Sequence, residues 1–523
     1  MSKVFVISGA LLILLGLICN AWVFFWLVDN TLLDNPPNRV FIWVFDIALI
    51  ALGIAIIKFK ARFLKNLVPL ALGIFFSLIL FVALDAFLGY KILIAENSDE
   101  SDQIQIENVN IPDDKLGWKP KPNATGTHKN KGVFDVTYVF DEHGFKTVDN
   151  QGDADFSLFF FGDSYTFGQG VTNADTFPNI LADEYLADSV HVFNAGVMGY
   201  GIPQMVQRFL DVQNHIQPGD VVVFTPLSRD IERNLKDFMF PAQFIFKDSI
   251  IKVENYPYFN GDTLQAVQLD TPYNRIKALL FYAPFSGNNT RFLYRLLTRY
   301  DTTADAQKML NTVKSITEAK GAHFVLIFLP RRNERINGYD VDISGFDYLD
   351  IMPFYPSKKA DLNKLKIEGD GHWNRLGHEI TARAILETLR QAGIVDSAHL
   401  KYSTQPVSIA VEDQLRLAQV SRRQTASQLL LDLAWQGITR PHHDYTIFAQ
   451  LLDANQQRVS GIDELPPWPF TTLNPNETMI SHHAVPLPEQ PGTYHILLGL
   501  YYFKDDQLVN VGAVTLDQPV TVH

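Results

Sequence analysis

The sequence contains a single cysteine, Cys19, among its 523 residues. One thiol excludes an internal disulfide framework and any zinc or iron–sulfur site that needs several thiolates. Basic residues are also scarce, because 44 lysines and arginines accompany 57 aspartates and glutamates and leave a net charge of −13. Proteins that bind nucleic acids need a basic surface to neutralise phosphates, so this balance argues against that class.

Long apolar runs are concentrated in the first 95 residues. They lie at about 4–28, 41–57 and 67–94, and the first would extend about 37 Å as a helix, enough to cross the apolar core of a bilayer, about 30 Å thick. The loop between the second and third runs carries four basic residues, Lys58, Lys60, Arg62 and Lys65. Because basic loops stay in the cytoplasm, we predict a transmembrane unit over residues 1–95 with a cytoplasmic N-terminus and the remaining chain outside.

The chain after residue 95 divides by pattern. Residues 96–155 are a polar lead-in with strand-like pieces, whereas residues 156–400 alternate apolar strands with amphipathic helices. The predicted strands are 156–161, 190–193, 221–224 and 323–329, and the predicted helices are 203–216, 304–319 and 375–391. This alternation predicts an α/β domain whose parallel sheet is covered on both faces.

Two further segments differ from this α/β pattern. Residues 235–300 are rich in aromatics and interrupt the alternation, which fits either an insertion with its own small core or a lid beside the site. In residues 401–523 the helical period fades, and strand patterns at 427–435, 445–453, 492–503 and 509–522 are separated by turns. Such spacing predicts an antiparallel β-sandwich domain.

A serine follows the first predicted strand of the α/β domain. Residues 162–164 read Gly-Asp-Ser, and open α/β sheets bind ligands at the carboxyl ends of their strands. A serine placed there becomes a nucleophile when a base reaches it, so Ser164 is the candidate nucleophile. The same tripeptide also forms ordinary turns.

Asp370 and His372 lie late in the same domain, directly before a predicted helix. Histidine titrates near neutral pH and acts as a general base when a carboxylate orients it. Ser164, Asp370 and His372 occur in a chain order that satisfies the geometry of a Ser-His-Asp triad. The alternative is a tight turn that caps the helix and leaves His372 on the surface.

A glycine-rich stretch, Asn-Ala-Gly-Val-Met-Gly-Tyr-Gly at 194–201, follows the second predicted strand. Glycines let backbone N–H groups approach a reacting oxygen closely, and an oxyanion hole is built from such donors. The stretch is therefore a candidate for oxyanion binding, with a flexible strand-to-helix loop as the alternative.

In this order, the three segments resemble the SGNH (GDSL-type) hydrolase family over about residues 156–395. The resemblance implies a three-layer α/β fold with a parallel sheet. It assigns the nucleophile and the first oxyanion donor to Ser164, and a further donor to Gly199. It assigns the acid and the base to Asp370 and His372, with no metal and no other cofactor.

Two features depart from the family pattern. The third family block, Gly-x-Asn-Asp, reads Leu-Ser-Arg-Asp at 227–230, so Arg229 stands at the position of the oxyanion asparagine. Either Arg229 or Asn234 is then expected to supply the third donor. The usual Asp-x-x-His spacing is shortened to Asp370-x-His372, which resembles membrane-associated and alginate-acetylation members of the superfamily. The C-terminal region resembles a β-sandwich appended to bacterial envelope proteins of the glycosyltransferase type.

These resemblances imply a serine esterase anchored in the bacterial cytoplasmic (inner) membrane, with its catalytic domain in the periplasm or outside the cell. The expected substrate is an O-acetyl ester of a cell-envelope glycan. Three alternatives remain open: an O-acyltransferase of the same glycans, a lipid-directed esterase or lipase, and an inactive glycan-binding or assembly protein. A transferase would need a separate membrane protein as acyl donor, because three passes offer no route for an acyl group. No nucleic-acid partner is expected.

Overall fold

The computed structural model describes four long stretches of the chain, 104–150, 152–233, 302–331 and 334–522, together with 255–259, 264–268, a helical segment at 80–88 and isolated positions. No helix among these described residues combines the length and apolarity that a bilayer crossing requires. The three predicted transmembrane helices, apart from residues 80–88 and isolated positions, and most of the 235–300 insertion lie outside the described residues. The chain divides into two compact units, and the elements described below belong to the one formed by 101–236, 250–268 and 301–523.

Five short strands precede the α/β domain. They are β1 (Ile104–Glu107), β2 (Asn110–Asp113), β3 (Gly117–Pro120), β4 (Thr125–Asn130) and β5 (Phe134–Val139). An antiparallel sheet has the order β1-β4-β5, and β2 pairs with β3 in a separate hairpin. The lead-in predicted at 96–155 therefore has sheets of its own.

A four-stranded parallel sheet forms the centre of the α/β domain. The next strands along the chain are β6 (Phe156–Gly162), β7 (Val190–Asn194), β8 (Val221–Thr225), β9 (Asn255–Phe259), β10 (Leu264–Gln268) and β11 (His323–Leu326). The sheet order is β11-β8-β6-β7, and every pairing in it is parallel. Strand β8 is buried at every position, as a central strand covered on both faces must be. Strands β9 and β10 form an antiparallel hairpin within the predicted insertion.

Helices connect these strands and cover the sheet. They are α1 (Ser164–Phe167), α2 (Phe177–Ile180), α3 (Ile202–Val212), α4 (Thr302–Ala319), α5 (Glu334–Asn337), α6 (Lys359–Lys364) and α7 (Arg375–Gln391). Helix α7 has the predicted bounds because Asn374 accepts a hydrogen bond from the Gly377 N–H at 3.0 Å and caps its first turn. The predicted 203–216 helix ends earlier, since the chain tightens into a 3₁₀ turn at Gln213–His215.

The C-terminal region is antiparallel throughout its two sheets. Its strands are β12 (Ser403–Val411), β13 (Leu415–Gln424), β14 (Gln428–Gly437), β15 (Thr446–Leu452), β16 (Arg458–Glu464), β17 (Thr478–Pro486), β18 (Gly492–Lys504), β19 (Gln507–Thr515) and β20 (Val520–Val522). One sheet has the order β12-β13-β14-β17, and the other has the order β16-β15-β18-β19 with β20 also paired to β18. The prediction of one strand over 509–522 was wrong, because a turn containing Pro519 separates β19 from β20.

The α/β domain and the sandwich share one hydrophobic core. A single cluster of buried apolar side chains extends from Phe160 in the parallel sheet to Trp435 and Leu498 in the sandwich. A buried ion pair crosses the same boundary, with Arg383 Nη1 of α7 lying 2.9 Å from Asp432 Oδ2 of β14. The two regions therefore support each other, and helix α7 is the element they have in common.

Candidate active site

Ser164 begins helix α1 at the carboxyl end of the central strand β6. The preceding Asp163 caps this helix, since its carboxylate accepts a hydrogen bond from the Tyr165 N–H at 2.9 Å. The turn between strand and helix is tight, because a Cβ added at Gly162 would lie 1.9 Å from Thr166 Oγ1. Only glycine fits at this position. The tight turn that it permits places Ser164 at the edge of the sheet, with 7% of its surface exposed.

The structure brings together Ser164, His372 and Asp370, the three residues of the predicted triad. Ser164 Oγ and His372 Nε2 are hydrogen bonded at 2.9 Å, although the two residues are 208 positions apart in the chain. His372 Nδ1 contacts a carboxylate oxygen of Asp370 on the other side of the ring. This is the order of contacts in which a histidine takes the serine proton while a carboxylate holds its ring.

The short Asp-x-His spacing works because the residue between the two side chains is a glycine. Gly371 has φ +93°, in the left-handed region that side chains disfavour. The chain therefore turns back on itself, and Asp370 Oδ1 accepts the backbone N–H of His372 at 3.1 Å in addition to its ring N–H. The alternative of a capping turn with a surface histidine was wrong, because His372 points at Ser164 and it is Asn374 that caps α7.

The electrostatics of the pair favour an ionised carboxylate. Partial burial raises the pKa of Asp370, but the hydrogen bonds and charge of His372 outweigh that effect and hold it below its ordinary value. An ionised Asp370 fixes the ring of His372 with its Nε2 toward Ser164. The same negative charge stabilises the imidazolium that forms when His372 accepts the serine proton.

The predicted oxyanion donors are the backbone N–H groups of Ser164 and Gly199. Ser164 is the first residue of α1, so its N–H has no acceptor within that helix. The glycine-rich loop runs beside the nucleophile turn, because Val197 N donates to the Gly162 carbonyl at 3.1 Å. Gly199, the predicted second donor, has φ +79° at the far end of this loop.

The lead-in strands hold the glycine-rich loop on both sides of Gly199. Trp118 Nε1 of β3 donates to the Met198 carbonyl at 3.1 Å, and Tyr200 Oη donates to the Trp118 carbonyl at 2.6 Å. The two rings also meet edge to face at 5.6 Å. The predicted oxyanion glycine therefore depends on a tryptophan more than 80 residues upstream, which the sequence pattern alone did not indicate.

The arginine nearest to the nucleophile turn is Arg233, not the predicted Arg229. Arg229 is exposed, whereas its neighbours Ser228 and Asp230 are fully buried in a 3₁₀ turn. One turn further, Arg233 Nη1 lies 3.2 Å from Asp163 Oδ2 and 2.8 Å from Asp230 Oδ1. The exposed position of Arg229 gives no support to its predicted role as third oxyanion donor, and Asn234 lies outside the described residues.

Arg233 thus bridges two buried carboxylates below Ser164. Burial, together with the charge of Asp163, raises the pKa of Asp230 well above its ordinary value, against the opposing effect of Arg233. When Asp230 is protonated, the positive charge of Arg233 faces only the negative charge of Asp163. No buried charge is then left without a partner, which would be costly. The sequence contained a signal for the Asp230–Arg233 ion pair, because residues three positions apart are neighbours across one helical turn.

A buried lysine lies behind the nucleophile helix. Lys146 is 1% exposed, and its Nζ lies 4.1 Å from the ring centre of Tyr138 and 4.4 Å from that of Phe167. The same Nζ donates to the carbonyl of Gly168, the C-cap of α1, at 3.3 Å. Burial lowers the pKa of Lys146 well below its ordinary value. Lys146 and Tyr138, whose Oη accepts the Gly170 N–H at 3.0 Å, together fasten the end of the helix that Ser164 begins.

The described residues contain no cluster of histidine, cysteine, aspartate or glutamate side chains suited to a metal ion. The polar contacts of the site connect a serine hydroxyl, an imidazole and a carboxylate in series.

No protein-family model matches the chain, and neither does any curated protein. Among solved structures, it is similar to a member of the lipolytic protein G-D-S-L family from Veillonella parvula DSM 2008, with 13% identity, coverage of 45% of this chain and 99% of that chain, and a TM-score of 0.25. It is also similar to a glycosyl hydrolase family 2 member from Bacteroides cellulosilyticus DSM 14838, with 13% identity, coverage of 23% of this chain and 14% of that chain, and a TM-score of 0.15. These likenesses are too distant to carry an argument, so the functional assignment depends on the geometry of the site.

Proposed function

We propose that the chain is a serine esterase that uses Ser164 as its nucleophile. The observation that carries this proposal is the hydrogen bond of 2.9 Å between Ser164 Oγ and His372 Nε2, with Asp370 bound to the other ring nitrogen. A serine hydroxyl is a weak nucleophile until an oriented base takes its proton. The described site contains each of the groups that this activation needs.

The reaction follows from these contacts. Ser164 Oγ attacks the ester carbonyl carbon while its proton passes to His372 Nε2, and the carbonyl oxygen becomes an oxyanion. The N–H groups of Ser164 and Gly199 are the donors proposed to stabilise that oxyanion. Collapse breaks the bond to the alcohol oxygen, which takes the proton from His372 and leaves an acyl-serine. Water then attacks the acyl-serine by the same steps and releases the carboxylic acid.

For the substrate we propose an O-acetyl ester of a cell-envelope glycan, and for the location the outer side of a bacterial cytoplasmic membrane. The apolar runs at 4–28, 41–57 and 67–94 support the membrane location, because the basic loop between the last two predicts that the catalytic residues are exported. The attached sandwich supports a polymeric substrate, since it shares its core with the catalytic domain and extends the surface beside it.

The first experiment measures hydrolysis of p-nitrophenyl acetate, butyrate and octanoate by the full chain in detergent. Ser164→Ala is run in parallel, together with labelling of the wild type by a fluorophosphonate. Fastest turnover of the acetate, lost in the variant, is the expected result. Preference for the octanoate would redirect the assignment to a lipid ester. A folded wild type that neither turns over an ester nor takes the label would overturn the esterase proposal.

A further inference from the structure

A solvent-accessible cleft of about 270 Å³ lies between helix α7 and the sandwich. Its apolar lining comes from both sides, with Leu376 and Ile380 on α7 and Leu465, Pro467 and Ile480 in the C-terminal region. Its volume corresponds to about nine water molecules at about 30 Å³ each, which is close to the lower limit of small-molecule pockets. The cleft is therefore large enough for one ring with its substituents and too small for a long chain.

The remaining lining is polar and carries both signs of charge. Asp432 lies 2.9 Å from Arg383 Nη1 and 2.5 Å from His482 Nδ1. Glu379, on α7 one turn before Arg383, adds a second carboxylate, and His483 adds a second histidine. The lining thus holds two carboxylates, one arginine and two histidines, so neither sign of charge predominates.

Two polar atoms in this lining have no hydrogen-bond partner among the described residues. Tyr185 Oη and Arg383 Nε are buried, on residues that are 3% and 4% exposed, and neither makes a hydrogen bond. The Glu379 carboxylate also lines the cleft, close enough to His482 and Arg375 to feel their charges. Buried polar atoms are nearly always satisfied, so Tyr185 Oη and Arg383 Nε need a partner from outside the protein, either a water molecule or a polar group of a ligand.

The chemistry of these groups defines the ligand. Tyr185 Oη and Arg383 Nε are donors, the carboxylate of Glu379 is an acceptor, and a hydroxyl group can serve both kinds of partner. A ligand that carries hydroxyls on its edge and C–H groups on its face would bond to the polar lining residues and pack on the apolar ones at once. With balanced charges and a volume of about 270 Å³, these properties describe one neutral sugar ring.

We propose that this cleft binds one neutral sugar unit of the glycan whose ester groups Ser164 cleaves. The inference rests on the proposed esterase function and adds a substrate class to it. Leu376, one of the apolar residues that line the cleft, is four residues after His372. The Cα–Cα distance between Leu376 and His372 is therefore at most about 14 Å. A polymer held in the cleft is thereby kept within a few sugar units of the catalytic serine.

The test compares a polymer with a small ester on the full chain in detergent. The polymers are O-acetylated xylan and O-acetylated glucomannan, which have neutral backbones, and the small ester is p-nitrophenyl acetate. Glu379→Gln and Tyr185→Phe keep the size of each side chain but alter its hydrogen bonding. Glu387→Gln makes the same change on the same helix, two turns beyond Glu379 and outside the cleft lining. We expect both cleft variants to raise the KM for a polymer about tenfold with kcat nearly unchanged, while Glu387→Gln and every rate on p-nitrophenyl acetate stay at the wild-type value.

Binding is measured separately, so that failure of the esterase assignment and failure of the cleft assignment can be told apart. Ser164→Ala, alone and combined with Glu379→Gln, is run by affinity electrophoresis through gels that contain the deacetylated polymers. If the polymer retards Ser164→Ala but not the double variant with Glu379→Gln, the cleft binds the polymer. This result supports the inference even if the wild type cleaves no ester. The inference would be overturned if both cleft variants had wild-type kinetics on the polymers. It would also be overturned if the protein hydrolysed p-nitrophenyl acetate but neither bound nor cleaved any polymer.

Discussion

The hydroxyl of Tyr165 donates a hydrogen bond of 3.2 Å to the carbonyl of Gly371. Tyr165 directly follows the nucleophile, and Gly371 lies between the acid and the base. The Tyr165 ring also contacts His372 at a centroid distance of 5.0 Å and Trp373 edge to face at 4.9 Å. One side chain thus couples the turn that presents Ser164 to the loop that presents His372.

Tyr165→Phe removes this hydrogen bond and keeps the ring contacts. A hydrogen bond of this kind contributes about 0.5–1.5 kcal/mol, so we expect kcat for p-nitrophenyl acetate to fall by about two- to tenfold with little change in KM. Tyr355→Phe is the matched control, because the hydroxyl of Tyr355 bonds to Thr381 and not to the catalytic loop. An equal loss of kcat in both variants would contradict the coupling.

Gly371→Ala tests whether the left-handed turn is what permits the short Asp-x-His spacing. An added Cβ would meet nothing within 4 Å, so the substitution introduces backbone strain alone, about 1–2 kcal/mol. If the loop relaxes that strain by moving Asp370 and His372, the fraction of molecules with both side chains in place for catalysis falls about 5–30-fold. We expect kcat to fall by the same factor. Gly338→Ala carries the same strain, since Gly338 has φ +84° and equally open surroundings, and should lower the melting temperature without lowering kcat.

Asp370→Asn should lower kcat by about 10²–10⁴-fold while the chain stays folded, because an amide does not stabilise the imidazolium of His372. Asp230→Asn should have a much smaller effect, since the raised pKa of Asp230 makes an amide a closer mimic of that side chain. Steady-state kinetics on p-nitrophenyl acetate separate the two. A larger loss of kcat in Asp230→Asn would show that the carboxylates below Ser164 have been assigned the wrong roles.

Acid should destabilise the α/β domain through His378. This residue is 1% exposed on α7, and burial lowers its pKa from 6.5 to about 3. The free energy of unfolding is then greatest above pH 6.5, where His378 is neutral in both the folded and the unfolded chain. It decreases as the pH falls from 6.5 toward 3, because in that range only the unfolded chain binds the proton. Between pH 7.5 and pH 5 this amounts to about 2 kcal/mol.

Urea unfolding at these two pH values measures the effect. His378→Asn should reduce the pH-dependent loss of unfolding free energy by about 2 kcal/mol relative to the wild type. His323→Asn removes an exposed histidine from β11 and should leave that loss unchanged. Equal pH dependence in all three proteins would refute the assignment of a buried, neutral His378.

The sequence was sufficient for the parts of the site that are local in the chain or carried by strong patterns. Uninterrupted apolar runs predicted the four parallel strands to within a few residues, and the helix predicted at 375–391 coincides with α7. Ser164 and His372 were found because each follows a recognisable turn. Ser164 lies at the carboxyl end of β6, and the loop between α6 and α7 brings His372 to it.

The remaining features depend on tertiary contacts that have no local signal. Arg233 reaches Asp163 only because the chain at 228–230 tightens into a 3₁₀ turn. Lys146 looks like a surface residue in a polar segment, yet the rings of Tyr138 and Phe167 enclose it. Strands β12, β13, β16 and β17 mix polar and apolar residues, and they became evident only from their pairing in the sandwich.

The 208 residues that separate Ser164 from His372 have a consequence for synthesis. A ribosome makes and releases the chain from its N-terminus, so the nucleophile emerges long before its base does. Closing so long a loop is slow compared with forming local turns, because the entropy of the intervening chain must be overcome first. A nascent polypeptide therefore carries Ser164 without its partner, and the proposed esterase activity requires translation to have passed His372.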